Sequence, residues 1–250
     1  MASSSSLPAA ALNWLLGATS STVATVESTP YVLDLTDNDY HVTVVDDDLD
    51  SLKPLRYRRP MIRVVAAHGE ALPFEPTCFD RVIAIQSFHT MDPRPTLAEW
   101  ARVLRPDGQV GLVFIRLDDS VPMIRRLKNI IGQALPRAMA ADRGVSSVDH
   151  LHQSSLFYPS EQRSWRLWQT CTRSQLVATA TAAPGADRLD SNDLHALGDA
   201  VGELYDTHAR VPEPLRLPYT ISCWRATVKS RAAQTNSPAT AAGGSMSMSM

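Results

Sequence analysis

Only three cysteines occur in the 250 residues, Cys78, Cys171 and Cys223, odd in number and widely scattered. Such a set offers neither a disulfide framework nor metal-ligand spacing, so three reduced thiols in a cytoplasmic protein are expected, with no metal. A basic excess is missing too: 24 Lys and Arg stand against 26 Asp and Glu, a net charge of −2. That balance leaves no electrostatic footprint for nucleic acid or an anionic membrane. The short basic runs Arg56, Arg58, Arg59 and Arg125, Arg126, Lys128 read as solvated faces. No apolar run approaches membrane-spanning length. Residues 7–18 are apolar, but they lack a basic flank and are interrupted by Asn13 and Trp14. They read as an amphipathic first helix rather than a signal peptide. With 44% hydrophobic and 20% charged residues, what remains is an ordinary soluble chain with enough apolar mass for a core.

Three parts are expected: an N-terminal helix region over residues 1–20, one domain over 21–229, and a disordered Ala/Ser/Gly/Met tail over 230–250. Within the domain, β-branched runs at 41–45 (HVTVV), 61–66 (MIRVVA), 80–86 (DRVIAIQ) and 109–114 (QVGLVF) read as strands. Leu97, Trp100, Ala101 and Leu104 fall at helical spacing between the last two. Strands alternating with helices predict an α/β fold, a mostly parallel sheet covered on both faces. Residues 121–135 read as a long helix, 164–170 as a strand, 193–208 as an amphipathic helix and 215–228 as a closing strand, giving a terminal hairpin. Residues 120–160 read as a cap, its part from 137 onward without a steady period. Residues 31–35 (YVLDL) leave two choices, because only five residues separate them from the next strand and a parallel crossover takes at least ~10. Either the two runs form a hairpin, or the first strand is 22–27 and YVLDL lies in its crossover, with Pro30 opening a helix. The second choice leaves room for the helix and is preferred.

Several motifs in order then carry a resemblance. Gly69-Glu70-Ala71-Leu72-Pro73-Phe74, Phe79-Asp80-Arg81-Val82, Gln86-Ser87-Phe88-His89, Leu97-Ala98-Glu99 and Arg102-Val103-Leu104-Arg105-Pro106-Asp107-Gly108 succeed one another at short intervals. Their run resembles the small-molecule, type-11 group of class I S-adenosylmethionine-dependent methyltransferases, strongly in the middle of the chain. The resemblance implies a Rossmann-like fold, S-adenosylmethionine as cofactor and a small-molecule acceptor. It implies that Asp46 and Asp47 lie by the ribose, that His68, Gly69 and Glu70 flank the adenine, and that Ser28 and Thr29 lie beneath the methionine moiety. Gln86 and His89 would face the methionine part and the acceptor, His89 being the candidate base. The residues allow plainer roles as well: Asp46 to Asp48 can cap a helix starting near Leu49, and His89 can be structural.

The family's glycine-rich loop is absent. Where it should follow the first strand stand Glu27-Ser28-Thr29-Pro30, and after the alternative first strand stand Thr36-Asp37-Asn38-Asp39. Side chains would then project toward the cofactor, and positive-φ backbone becomes costly. Thr90 stands in place of a tryptophan, Asp107 of a glycine, Phe114-Ile115 of a Trp-Asn pair, and Leu117 of an arginine. Losses on the ligand side with the core patterns kept open an alternative: a catalytically degenerate homologue that serves a protein partner, with dimerisation open. Leu156, Phe157 and Tyr158 are expected to close over the carboxyl ends of the strands as a lid facing His89.

Overall fold

The structure is a computed structural model; it describes residues 6–17, 21–27, 29–36, 40–60, 62–136, 144–210 and 214–230. In chain order come α1 (Ala9–Leu16), β1 (Thr22–Val26), α2 (Val32–Thr36), β2 (His41–Asp46), α3 (Leu49–Arg58), β3 (Arg63–Ala66) and β4 (Phe79–Ile85). There follow α4 (Pro93–Val103), β5 (Leu104–Leu117), α5 (Pro122–Ala134), α6 (Val148–Gln153), β6 (Glu161–Cys171), α7 (Arg173–Thr181), α8 (Ser191–His208) and β7 (Leu215–Thr227). The seven strands lie in the order β3-β2-β1-β4-β5-β7-β6. The first five are parallel; β7 runs antiparallel to both β5 and β6. This is the doubly wound, Rossmann-like α/β architecture, with its switch point between β1 and β4.

The residues explain the arrangement. Val23, Ala24, Thr25 and Val26 are all buried, as are residues 42–46, because a parallel strand between two helical layers has no wet face. Ala24, Val26, Val82, Leu112 and Phe114 point to the layer that holds α4 and α6. Val23, Val44, Ile83, Val113 and Ile221 point to the layer of α1, α2 and α3. The YVLDL run enters α2, inside the β1–β2 crossover, so the hairpin alternative does not form; the helix starts at Val32, two residues after Pro30. The strand expected from Met61 begins at Arg63, and Met61 lies outside the described residues.

Helix α1 is part of this domain rather than a region beside it. Leu15 and Leu16 are buried, Trp14 lies 5.7 Å from Trp165 of β6, and Arg225 of β7 stacks 4.4 Å over the Trp14 ring. Gly111 makes room for the helix, since a Cβ there would stand 2.5 Å from Ile83 Cδ1 and 3.2 Å from Leu15 Cδ2. Among the described residues no helix is long and apolar enough to cross a membrane. The expected tail lies almost wholly outside the described residues.

Two expectations for the later chain need correction. The described cap is not residues 120–160 alone: α5 packs with α7 and α8 in one apolar cluster around Ile124, Leu127, Leu176, Leu197, Val201 and Leu217. The β6–β7 pair runs on to Cys171 and Leu215, past the β5 end that pairs Leu117 with Tyr219, and so lifts α7 and α8 over the carboxyl edge. Nor do Phe157 and Tyr158 form a lid. Phe157 is buried and bridges Val228, and the Tyr158 N–H donates to Thr227 O. Val228 itself donates to Gly108 O, ahead of Gln109, where β5 joins β4. Both aromatics therefore sit at the amino ends of the parallel strands, the edge opposite His89. Burial of the Phe157 ring against the α4 layer decides their place.

Candidate functional site

In open α/β sheets ligands settle at the carboxyl ends of the strands beside the switch point. Here that place holds a cleft of about 140 Å³, lined by Glu27 after β1, Asp46 and Asp47 at the end of β2, His68, Gly69 and Glu70 after β3, and Thr90. A larger hollow of about 800 Å³ opens at the other edge, beside Thr22, His41 and Arg63 where β1, β2 and β3 start. Size favours the second and strand chemistry the first; the first also gathers four carboxylates, Glu27, Asp46, Asp47 and Glu70.

Backbone geometry sets up each wall. Glu27 adopts φ 67°, the left-handed region that favours glycine, and its N–H donates to Val45 O at 2.7 Å. This non-glycine residue carries the turn that the missing glycine would make more cheaply, a penalty of roughly 1–2 kcal/mol. Its carboxylate reaches across the switch point and accepts a hydrogen bond from Thr90 Oγ1 at 2.8 Å. Partial burial pushes the Glu27 carboxyl above the usual carboxylate range; the Thr90 bond opposes this, and the charges of Asp46, Asp47 and Glu70 add to it.

Asp46 is buried, and its Oδ1 accepts from the Asp48 N–H at 2.9 Å. The helix cap itself belongs to Asp48, whose side chain accepts from Asp50 N and Ser51 Oγ at 2.9 Å each. The capping role weighed for the aspartates thus falls to Asp48. Asp47 lies 3.0 Å from His68 Nδ1 in an exposed pair.

The loop after β3 is fixed from α4. Trp100 Nε1 donates to Gly69 O at 3.1 Å, Glu99 accepts from Leu72 N at 2.8 Å, and Arg102 donates to Leu72 O and Phe74 O. Gly69 has no space for a side chain: a Cβ would stand 2.8 Å from both Met91 Sδ and Val26 Cγ1. Its glycine thus answers to packing around the cleft floor. Glu70 Oε1 accepts from Asp92 N at 3.1 Å.

Gln86 and His89 do not line this cleft. Gln86 stands at the end of β4 with φ 65°, but both ends of its carboxamide pair with Ile115, at 2.8 and 3.0 Å, in imitation of a strand ladder. Its amide ties β4 to β5. His89 is exposed beside Phe114, and Gly144 packs against it so closely that a Cβ would stand 2.3 Å from the ring. Thr29 has a buried hydroxyl with no hydrogen-bond partner, and Ser28 lies outside the described residues. Glu27 and Thr90, named in the sequence only as departures from a pattern, form the part of the wall that was missed. The signal was available in Glu27, an acidic side chain directly after the first strand.

Comparison with known proteins shows what the chain is similar to. Residues 23–112, from β1 through the first part of β5, match a family model described as a methyltransferase domain. Over this stretch the chain is similar to a methyltransferase domain. An uncharacterized methyltransferase of Mycobacterium tuberculosis is 32% identical over 130 residues, 51% of this chain and 54% of that protein. A demethylmenaquinone methyltransferase of Renibacterium salmoninarum is 31% identical over 126 residues, 50% of each chain. The chain thus spans about half the length of the curated relatives it matches. A solved structure described as a type II methyltransferase, from Anaeromyxobacter dehalogenans, aligns over 89% of this chain and 97% of its own, with TM-score 0.63 and 18% identity. One described as an antibiotic-biosynthesis methyltransferase, from Anabaena variabilis, covers 85% and 94%, with TM-score 0.54 and 16% identity. At such identities the structural likeness establishes the methyltransferase fold.

Proposed function

We propose that this methyltransferase domain binds S-adenosylmethionine in the β1–β4 cleft and transfers its methyl group to a small-molecule acceptor. The observation that carries the reading is the charge of the cleft: Glu27, Asp46, Asp47 and Glu70 are acceptors, and His68 is the lone basic side chain among its lining residues. A wall of carboxylates repels the phosphates of nicotinamide or flavin dinucleotides. It suits a ligand rich in donors and positive charge, namely a ribose diol, an adenine amine, an ammonium and a sulfonium. The donor set therefore fits this cofactor. Asp46 would hold the ribose hydroxyls, His68, Gly69 and Glu70 the adenine, and Glu27 and Thr29 the methionine end. When bound, the cofactor supplies an electrophilic methyl group; the chain has only to align an acceptor, which proximity rewards strongly. His89, exposed at the end of β4, is the candidate on the acceptor side. Such an enzyme needs neither nucleic acid nor a membrane as partner, and a cytoplasmic setting suits it.

A second reading has its own support. The cleft of about 140 Å³ falls short of the roughly 300 Å³ at which ligand pockets begin, and the Glu27–Thr90 contact spans it. A degenerate homologue that regulates a protein partner would look the same. Thermal-shift assays separate the two. S-Adenosylmethionine and S-adenosylhomocysteine should raise Tm while ATP and NAD do not; no shift with any of them favours the regulatory reading.

A further inference from the structure

We infer that Glu27 makes the cleft selective for charge, favouring the sulfonium-bearing methyl donor over the neutral thioether that transfer leaves behind. The inference rests on the proposed function. Transfer breaks the sulfur–methyl bond, the electron pair stays on sulfur, and the sulfur loses its positive charge, so donor and product differ by one methyl group and one charge. A site that distinguishes them electrostatically binds the donor and sheds the product.

Glu27 stands where a glycine would present only backbone, and its left-handed φ of 67° turns the side chain toward Thr90. Few other groups compete for its charge. From β2 it faces Asp46 and Asp47; from the loop after β3, Glu70 and His68; from the turn after β4, the neutral Thr90. His68 pairs with Asp47, and among the described residues no arginine or lysine lines the cleft. Partial burial, with repulsion from Asp46, Asp47 and Glu70 added, leaves Glu27 costly to ionise, and a ligand cation relieves that cost where a neutral ligand does not. Its carboxyl is already displaced toward the protonated form. A folded pKa above the unfolded one means that the charge, and the preference with it, is lost as pH falls through the folded value.

The test is calorimetric titration of the full chain with S-adenosylmethionine and S-adenosylhomocysteine. The native protein should prefer the donor by about tenfold at pH 8, from one charge pair in a partly wet site. Glu27→Gln, which keeps the shape and the acceptor for Thr90, should bring the two affinities within about twofold. Thr90→Val, which keeps the charge, should retain the preference. Stepwise acidification of the native protein through the carboxylate range should progressively weaken it, so the idea stays testable if Glu27→Gln fails to fold. Equal native affinities, or a preference that survives Glu27→Gln, would overturn the inference and leave cofactor binding standing. No binding of either compound would overturn the proposed function itself.

Discussion

Glu27 concentrates the conflict between what the backbone wants and what the site holds. A glycine there would relax the left-handed strain of roughly 1–2 kcal/mol and remove a hydrogen bond worth about 1 kcal/mol. Glu27→Gly should therefore leave Tm within about 4 °C of the native value, at the usual 2–4 °C per kcal/mol for this size. The same change should enlarge the cleft and strengthen binding of S-adenosylhomocysteine while removing the preference for the charged donor; a strong loss of stability would show that the Thr90 bond matters more than the strain. Asp107 shows the milder form of this device: it holds φ 63° in the turn before Gln109, where an aspartate tolerates what glycine does freely. Read as a string, Glu27 and Asp107 register only as missing glycines; Glu27 is set where β1 pairs with β2 and β4, and Asp107 where the β4–β5 register shifts, which no single position reveals. Cys223 gives a simpler test. It is fully buried between β5 and β6, and burial pushes its thiol up to about 12. In the native protein a thiol reagent at pH 7 should modify Cys78 and Cys171 slowly and Cys223 only after unfolding.

Helix α4 is the element that turns sequence pattern into site geometry. Its buried side, with Leu97, Trp100 and Val103, packs against the sheet, while Glu99, Trp100 and Arg102 hold the loop from Gly69 to Phe74. The hydrogen bond from Arg102 holds the Glu99 carboxyl below its ordinary range, against partial burial and with help from Leu72 N–H. A depressed folded pKa means that this stabilisation is present above the unfolded carboxylate value and is lost as pH falls through the folded one. Arg102→Ala should lower Tm by about 4–8 °C at pH 7, for a loss of roughly 2 kcal/mol, and the difference should shrink below about pH 4. A constant difference down to pH 3 would show that the pair does not carry the loop. These motifs were legible because helix, turn and strand here are local. The lid was not: residues 156–158 join β7 across some seventy positions of sequence, and a run of aromatics does not say which edge of a sheet it covers.

At the scale of the molecule, the order of β-branched runs was enough to predict a parallel sheet, and the closing hairpin followed from the two late strands. Which edge carries the site is a property of topology: strand order brings Glu27, Asp46, Gly69 and Thr90 together from four separate crossovers. The cap lies over the same edge, where Gln169 of β6 donates to Tyr31 Oη at 3.1 Å and so touches the segment that replaces the glycine loop. Asp46 is the residue through which the whole account can be tested, because it is buried in the cleft while Asp48 carries the helix cap. Calorimetric titration of S-adenosylmethionine into the native protein and into Asp46→Ala is the direct measurement. Saturable one-site binding weaker than micromolar, abolished by Asp46→Ala with Tm lowered by no more than about 4 °C for the lost bond to Asp48 N–H, is the predicted result. Absence of binding by the native protein, or an affinity indifferent to Asp46→Ala, would contradict it.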